Sequence, residues 1–354
     1  MAFVCCKGRS EGCILMSGRR LQFARLLMAM GVHELFARRA SASLLIFNYH
    51  RIWPSREVRR TCYDDGVFDT DVDSFRSQML WLKASTTILD EEALLELNSR
   101  AGSGTGDFYS AVTFDDGYID CFQLVKPVLD ELGIRGMFFV PFEMLESRRL
   151  GWWDIAAYLL KGSRHPSIHV SGQIFELGPE LPRSIQRILT MFKVEPSAGT
   201  ESLLDRLSEA CGVPIPSKDE QSSQLMNWNQ VRELQTAGHA IGSHSLSHRV
   251  LSSLTPENQR EEIIDSRRKL QAVTGTSICS FAYPVGGPQH INDYSIRFAR
   301  DAGYHQAFTF NTGISSVPIK DPFRIPRESA KSLALLKAKV MLPGLMGLEK
   351  SRAV

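Results

Sequence analysis

Two short stretches of this chain carry residue types that could do hydrolytic chemistry together: Thr113-Phe114-Asp115-Asp116-Gly117 and, much later, His244-Ser245-Leu246-Ser247-His248. Each closes an apolar run. Adjacent carboxylates at a strand end can divide the work, one binding a divalent cation while the other, uncoordinated, takes a proton from water. Neighbouring strand side chains point to opposite faces, so Gly117 is needed to turn the backbone and bring both to one site. His244 and His248 are i and i+4, which places both imidazoles on one face of a helical turn. Neutral imidazole is a common ligand for zinc and related metals. Asp116, His244 and His248 would form a three-ligand set with an open position for water, the pattern of a catalytic zinc site rather than a structural one.

Either motif alone is a weak signal. Asp and Gly are common wherever a strand gives way to a turn, and paired histidines are often ordinary surface or core residues. Their joint placement at the ends of two strand-like segments makes the constellation.

The elements that must position them alternate. Strands are predicted at Leu44–Tyr49, Thr86–Leu89, Ser110–Phe114, Gly136–Val140, His239–Ser243, Ser277–Tyr283 and His305–Phe310. Helices are predicted over 72–84, 91–98, 119–132, 227–237, from Thr255-Pro256 to about Thr274, and over 292–302, with the glycine-rich 101–107 as a loop. This alternation implies a mostly parallel sheet, closed or doubly wound, with sites at strand C-termini. Between Pro141 and Gln224 the rhythm breaks into helix signals at 154–160, 184–192 and 201–211 and a strand signal at Gln173–Leu177. We read about 142–224 as an insertion over the active face. The domain reading is thus 1–41 as an N-terminal extension, 42–330 as the catalytic domain, and 331–354 as a C-terminal helix and tail.

Composition sets bounds. The chain has 354 residues, 43% hydrophobic and 23% charged, with a net charge of +2, an ordinary globular balance that gives no reason to expect a nucleic-acid partner. Its apolar runs are too short to span a bilayer. Seven cysteines with no zinc-finger spacing read as reduced thiols, Cys121 and Cys279 as small core residues. Residues 1–15 make a poor signal peptide. From Gly18 to Arg39, leucines, methionines and Phe36 alternate with Arg19, Arg20, Arg25, Arg38 and Arg39, a basic amphipathic helix that suits an anionic membrane surface, a partner, or its own domain. The expected location is cytoplasmic or peripheral to the inner face of the membrane.

Thr113–Gly117 and His244–His248 together resemble the first two motifs of the polysaccharide deacetylase superfamily (NodB-like, carbohydrate esterase family 4). Met226–Val231 leading into Ala237–His244 is similar to that family's approach to its histidines. Phe281-Ala282-Tyr283-Pro284-Val285-Gly286 resembles its third motif, and Phe323-Arg324-Ile325-Pro326-Arg327 the closing segment of exopolysaccharide-associated members. The resemblance covers roughly 42–330. It implies a distorted (β/α)7 barrel and metal-dependent removal of N-acetyl groups from amino sugars of a poly- or oligosaccharide, in exopolysaccharide or cell-surface glycan biosynthesis. It implies that Asp116, His244 and His248 hold the metal, with zinc expected and nickel, cobalt or manganese compatible. Asp115 becomes the general base, and the backbone near Val285, with Tyr283 beside it, the oxyanion and substrate wall.

Two family features are replaced. Ala282 stands where the third motif usually begins with a base-orienting arginine, and Arg327 is the candidate substitute. The usual late Leu-x-His motif is not evident after residue 310, which makes His50, at the end of the first strand, the candidate general acid and His290 the second choice. His239 reads as a strand residue, and Trp152-Trp153 as core or as a sugar platform. Competing readings are an amidase acting on a non-sugar C–N amide bond and a non-catalytic glycan binder. An aspartyl-phosphate chemistry is discarded, because it needs Asp-x-Asp.

Overall fold

The structure, a computed structural model, describes residues 10–30, 42–99, 107–194 and 199–348. Its thirteen strands are β1 Ser43–Tyr49, β2 Arg51–Trp53, β3 Phe68–Asp71, β4 Thr87–Ile88, β5 Phe108–Asp115, β6 Met137–Val140, β7 Ser167–Val170, β8 Gln173–Glu176, β9 Ala240–Ser243, β10 Ser280–Ala282, β11 Gln306–Phe308, β12 Ser315–Ser316 and β13 Arg327–Ser329. The main sheet runs β11-β10-β9-β6-β5-β1 in parallel, with β13 also parallel to β1 and β12 antiparallel to it. A parallel bridge from Phe308 to Ile325 stitches the chain just before β13 to the far edge, β11. The seven parallel segments therefore curl into a distorted (β/α)7 barrel.

Seven strands were expected, and one of them is different. Thr87–Ile88 is a two-residue side strand on β5. The seventh position belongs to the segment around β13, whose short polar sequence Arg327-Glu328-Ser329 carries no apolar run. Its backbone pairing, not its composition, makes it a strand.

Strand periodicity sorts the core. All seven residues of β1 are buried, as parallel strands covered on both faces require. Leu44 and Ile46 point inward with Ala111, Met137, Phe139, Ala282, Phe308 and Ile325, forming the barrel interior. Leu45, Phe47, Val112, Phe114, Phe138 and Ile241 point outward beneath the helices. Gly242 is an inward position, where a Cβ would lie 2.3 Å from the Phe139 ring, so only glycine fits. Each such buried aliphatic or aromatic side chain contributes ~1.5–3 kcal/mol.

The helices begin where their caps say. Thr255 caps helix Pro256–Thr274, and Asn227 with Gln230 forms a capping box on Trp228–Thr236. Residues 121–125 of the helix after Gly117 form a π turn. The N-terminal helix spans Ser10–Ala29, starting earlier than expected; residues 31–41 lie outside the described residues, as do 100–106 and 349–354. Its Leu21, Ala24, Leu27 and Met28 pack against the C-terminal helix Leu333–Met341. No helix among the described residues is long and apolar enough to cross a membrane. Cys121 is buried as expected, whereas Cys279 is only half-buried.

Candidate active site

The inward phase of the strands continues into polar residues at the barrel mouth. On β1, Leu44 and Ile46 are followed by Asn48; on β5, Ala111 is followed by Thr113 and Asp115; after Ile325 comes Arg327. The register sets Asn48 beside Thr113 and Ile46 beside Arg327. Arg327 grips Asp115 with both ends of its guanidinium, Nη1 to Oδ1 at 2.8 Å and Nη2 to Oδ2 at 2.7 Å. Asn48 Nδ2 donates to Asp115 Oδ2 at 2.9 Å, and Arg327 Nη1 also donates to Asn48 Oδ1 at 3.0 Å. All of these groups are buried. Burial would raise the Asp115 carboxyl, but the charge and hydrogen bonds of Arg327, with His244 and His50, hold it far below the usual carboxylate range. Arg327 thus holds Asp115 from a strand at the opposite end of the sequence.

Asp116, equally buried, differs from its neighbour in backbone and in partners. It and Gly117 both adopt left-handed backbone, φ 72° and 71°, which swings the Asp116 side chain over the barrel mouth. Aspartate tolerates that conformation better than most residues. Asp116 Oδ1 is buried and has no hydrogen-bond donor among the described residues. It lies 3.2 Å from His248 Nε2 and 3.6 Å from His244 Nε2.

The histidine segment is a loop and not the helical turn expected. Ser245 and His248 have positive φ, 66° and 57°, and Glu262 braces the loop by accepting from the backbone N–H groups of Leu246 and Ser247, each at 3.0 Å, and from the Ser247 hydroxyl. The i, i+4 spacing still brings the rings together, their centroids 4.7 Å apart. His244 Nδ1 donates to the Ala282 carbonyl at 2.7 Å, which leaves the Nε2 lone pair facing Asp116. Burial is the largest cause holding the His244 ring down to about 4, so it is neutral at ordinary pH.

These atoms fit a metal. The three ligand atoms all lie within 4.8 Å of one another, and two of the contacts, 3.2 and 3.6 Å, bracket the ~3.3 Å edge of a zinc tetrahedron with ~2.0–2.1 Å bonds. A buried carboxylate oxygen without a donor is costly unless something positive meets it. Asp116 Oδ1 is that oxygen, and the two imidazoles beside it complete the donor set.

His50 follows β1 and lines the same ≈ 290 Å³ cavity as Asp115, Asp116, His244 and His248. Its backbone N–H donates to Asp69 Oδ2 at 2.8 Å, and its Nδ1 lies 3.4 Å from the same oxygen. Burial would lower this imidazole, but Asp69, with Asp116 and Asp115, raises it to about 9. The ring therefore keeps its proton at neutral pH. His290 does not line this cavity, and His239 is a buried core residue held between the Gly136 N–H and Asp130.

Val285 lines the cavity with φ 59°, a strained conformation for a β-branched residue. The turn is pinned by the Phe310 N–H donating to Gly286 at 2.8 Å. Tyr283 also lines the cavity, but its hydroxyl donates away from the site, to the Phe323 carbonyl at 3.1 Å.

The 142–224 segment supplies Trp152, Trp153, Gln186, Leu189 and Lys193 to the cavity wall. Trp153 packs on His248, centroids 4.4 Å apart, and its Nε1 donates to Tyr118, whose hydroxyl donates to Asp154, each at 2.7 Å. Burial pushes Asp154 up to about 6 despite Arg51 nearby. Asn48, Asp69, Glu262 and this Trp153–Tyr118–Asp154 chain were not anticipated. Only Asn48 had a usable signal, its inward phase two residues beyond Ile46.

Residues 163–307 match the family model described as polysaccharide deacetylase, a span that takes in both histidines and Phe281–Gly286. Over that span the chain is similar to polysaccharide deacetylases. YxkH of Bacillus subtilis (strain 168), which bears a polysaccharide deacetylase name, is 30% identical over 87 residues, covering 25% of this chain and only 30% of that protein. Among solved structures, IcaB from Ammonifex degensii aligns with a TM-score of 0.54 at 16% identity, covering 86% of this chain and 98% of that one. The Streptococcus pyogenes deacetylase PplD in complex with acetate aligns with a TM-score of 0.52 at 17% identity, covering 86% and 100%. At these identities the likeness is one of fold.

Proposed function

We propose that this protein removes N-acetyl groups from amino sugars of a poly- or oligosaccharide by metal-assisted hydrolysis, in exopolysaccharide or cell-surface glycan biosynthesis. The observation that carries the reading is the division between a carboxylate fully held by Arg327 and Asn48 and a neighbouring one left open beside two histidines. A divalent cation bound by Asp116, His244 and His248, with zinc best suited to the donors, would polarise the acetamide carbonyl and acidify the attacking water.

The chain's own residues do the rest. Asp115, kept ionised and aimed by Arg327, takes a proton from the water as its oxygen bonds to the carbonyl carbon. The N–H of Val285, a residue that lines the cavity, would stabilise the oxyanion. His50, protonated and oriented by Asp69, gives its proton to the amine nitrogen as the C–N bond breaks, releasing acetate and the free amine. The N-terminal helix turns Phe23, Leu26 and Met30 to solvent at 51–56% exposure, with Arg19 and Arg25 also exposed, which supports peripheral contact with an anionic membrane.

Metal analysis of the purified protein, with acetate release from N-acetylglucosamine oligomers, tests the reading. Metal at one equivalent and acetate matched by new amines are expected. Acetate or ammonia released from simple amides but not from glycans would favour the amidase. Glycan binding without release, in metal-loaded protein, would favour a binder.

A further inference from the structure

We propose that the buried Lys339–Glu328 ion pair pins the register of β13, which makes both of them positioning residues for Arg327 and, through it, for Asp115. The effect on turnover rests on the deacetylase reading; the register pin itself does not.

A strand of this composition cannot find its own register. Where one face of a strand is apolar, burial fixes the pairing, but Arg327-Glu328-Ser329 has no apolar residue to do so. A slip of one residue would carry Arg327 to the outside of the barrel and turn Glu328 inward, setting a second carboxylate toward Asp115. In the observed register Ile46 pairs with Arg327 and Phe47 with Glu328. Arg327 therefore shares the inward phase of β1, and Glu328 the outward one.

Two contacts hold Glu328 there. Its Oε1 accepts from the Gly313 N–H and its Oε2 from Lys339 Nζ, each at 2.7 Å. The same ammonium donates to the Ser329 carbonyl at 2.6 Å, so it engages a side chain and the backbone of the next residue at once. A slipped strand would offer it Arg327 or Ser329 in place of the carboxylate. Lys339 lies on the C-terminal helix Leu333–Met341, where Ala338 packs with Ala24 of the N-terminal helix. The two terminal helices thus stand behind the strand whose inner face grips Asp115.

Stability alone does not account for the pair. Both side chains are buried, and the attraction between buried charges is largely offset by the water they give up. What such a pair supplies is one fixed geometry. The group that needs it is next door: a guanidinium that must meet both oxygens of a carboxylate.

The test uses the full-length, metal-loaded protein. Lys339→Met should lower kcat for acetate release from N-acetylglucosamine oligomers by about ten-fold, the scale of one lost charge-assisted hydrogen bond. KM should stay unchanged, and Lys339→Arg should restore most of the rate. In an Arg327→Lys background, Lys339→Met should cost about two-fold or less in kcat, because both changes act through one group. Equal losses in the two backgrounds overturn the proposal. A second readout needs no activity: phenylglyoxal labelling of arginines, mapped by mass spectrometry. Arg327 is 2% exposed and Arg51 5%, so Lys339→Met should open Arg327 to the reagent while Arg51, the control for general unfolding, stays protected. Arg327 still protected in the variant, or both arginines labelled alike, also overturns it. Should Lys339→Met fail to fold, Glu328→Gln keeps an acceptor for Gly313 and should move the same readouts by less. A wild type that releases no acetate defeats the deacetylase reading, and the labelling still decides the register pin.

Discussion

Asp115 and Asp116 are chemically identical neighbours with opposite surroundings. Asp115 lies on the barrel wall in the inward phase of β5, with both oxygens taken by a rigid guanidinium and one shared with Asn48. Asp116 lies one residue past the strand, in left-handed backbone, with Oδ1 buried and unpaired beside two imidazoles. A carboxylate saturated by fixed donors is preorganised and cannot be recruited by a cation without breaking a bidentate pair. One left open is poised for a cation and useless as an oriented base. On the proposed mechanism, the strand end thus divides metal binding from proton transfer.

The largest expected effect tests the open side. Asp116→Ala should abolish both metal binding and turnover, read by elemental analysis and acetate release. If stoichiometric metal survived at unchanged affinity, Asp116 would not be a ligand.

Asp115→Asn tests the saturated side. It should lower turnover by about 10²–10⁴-fold, the usual range for a positioned proton-transfer group, while metal content stays at wild-type level. Loss of metal in this variant would invert the comparison. Asn retains shape but leaves Arg327 buried without its counter-charge, so a lower Tm is also expected, because a broken buried pair costs ~3–5 kcal/mol.

Much of this arrangement was legible in the sequence, and the limits have physical causes. The two motifs show because their residue types sit at fixed short spacing. The barrel shows because buried parallel strands such as Leu44–Tyr49 are continuous apolar runs. β13 escaped because a short polar strand has no pattern of its own, and its membership is settled only by pairing with β1 and by the bridge to Phe308. The partnership of Arg327 with Asp115 was suspected as a substitution, but its bidentate geometry depends on barrel closure across 212 residues of chain. Asp69 had no signal, since an isolated acid near a turn says nothing about a histidine 19 residues away. The helical turn expected at 244–248 failed for a local reason: two residues in left-handed backbone and the Glu262 brace build a loop instead.

Arg327→Lys sharpens the saturated side by keeping the charge while removing the fork. A lysine ammonium is a point charge that cannot hold both carboxylate oxygens in one plane. Turnover should fall by about ten-fold, on the scale of one lost charge-assisted hydrogen bond at ~1.5–3 kcal/mol, with metal content unchanged. An unaltered kcat would mean that charge alone, not the bidentate grip, positions Asp115.

The smallest expected effect lies on the acid, where a second carboxylate acts through another group. His50 is raised to about 9 with Asp69 as a main cause, so its acid form persists across neutral pH and is lost as pH rises through that value. Activity that needs the acid should therefore fall on the alkaline side. Asp69→Asn removes the negative charge and keeps a hydrogen-bonding side chain, which lowers the His50 value and moves the alkaline limb of kcat to lower pH. Below that limb the variant should approach wild-type turnover. The same shift makes a stability contribution, since His50 binds its proton more tightly folded than unfolded. That contribution is fully present below the ordinary histidine value near 6.5 and lost as pH rises through about 9, so the Tm gap between Asp69→Asn and wild type should narrow on the alkaline side. His50→Ala should lack the limb altogether at reduced rate. If the limb in Asp69→Asn stayed at its wild-type pH, Asp69 would be a structural anchor for the His50 backbone and nothing more, and the site's paired carboxylates would be confined to Asp115 and Asp116.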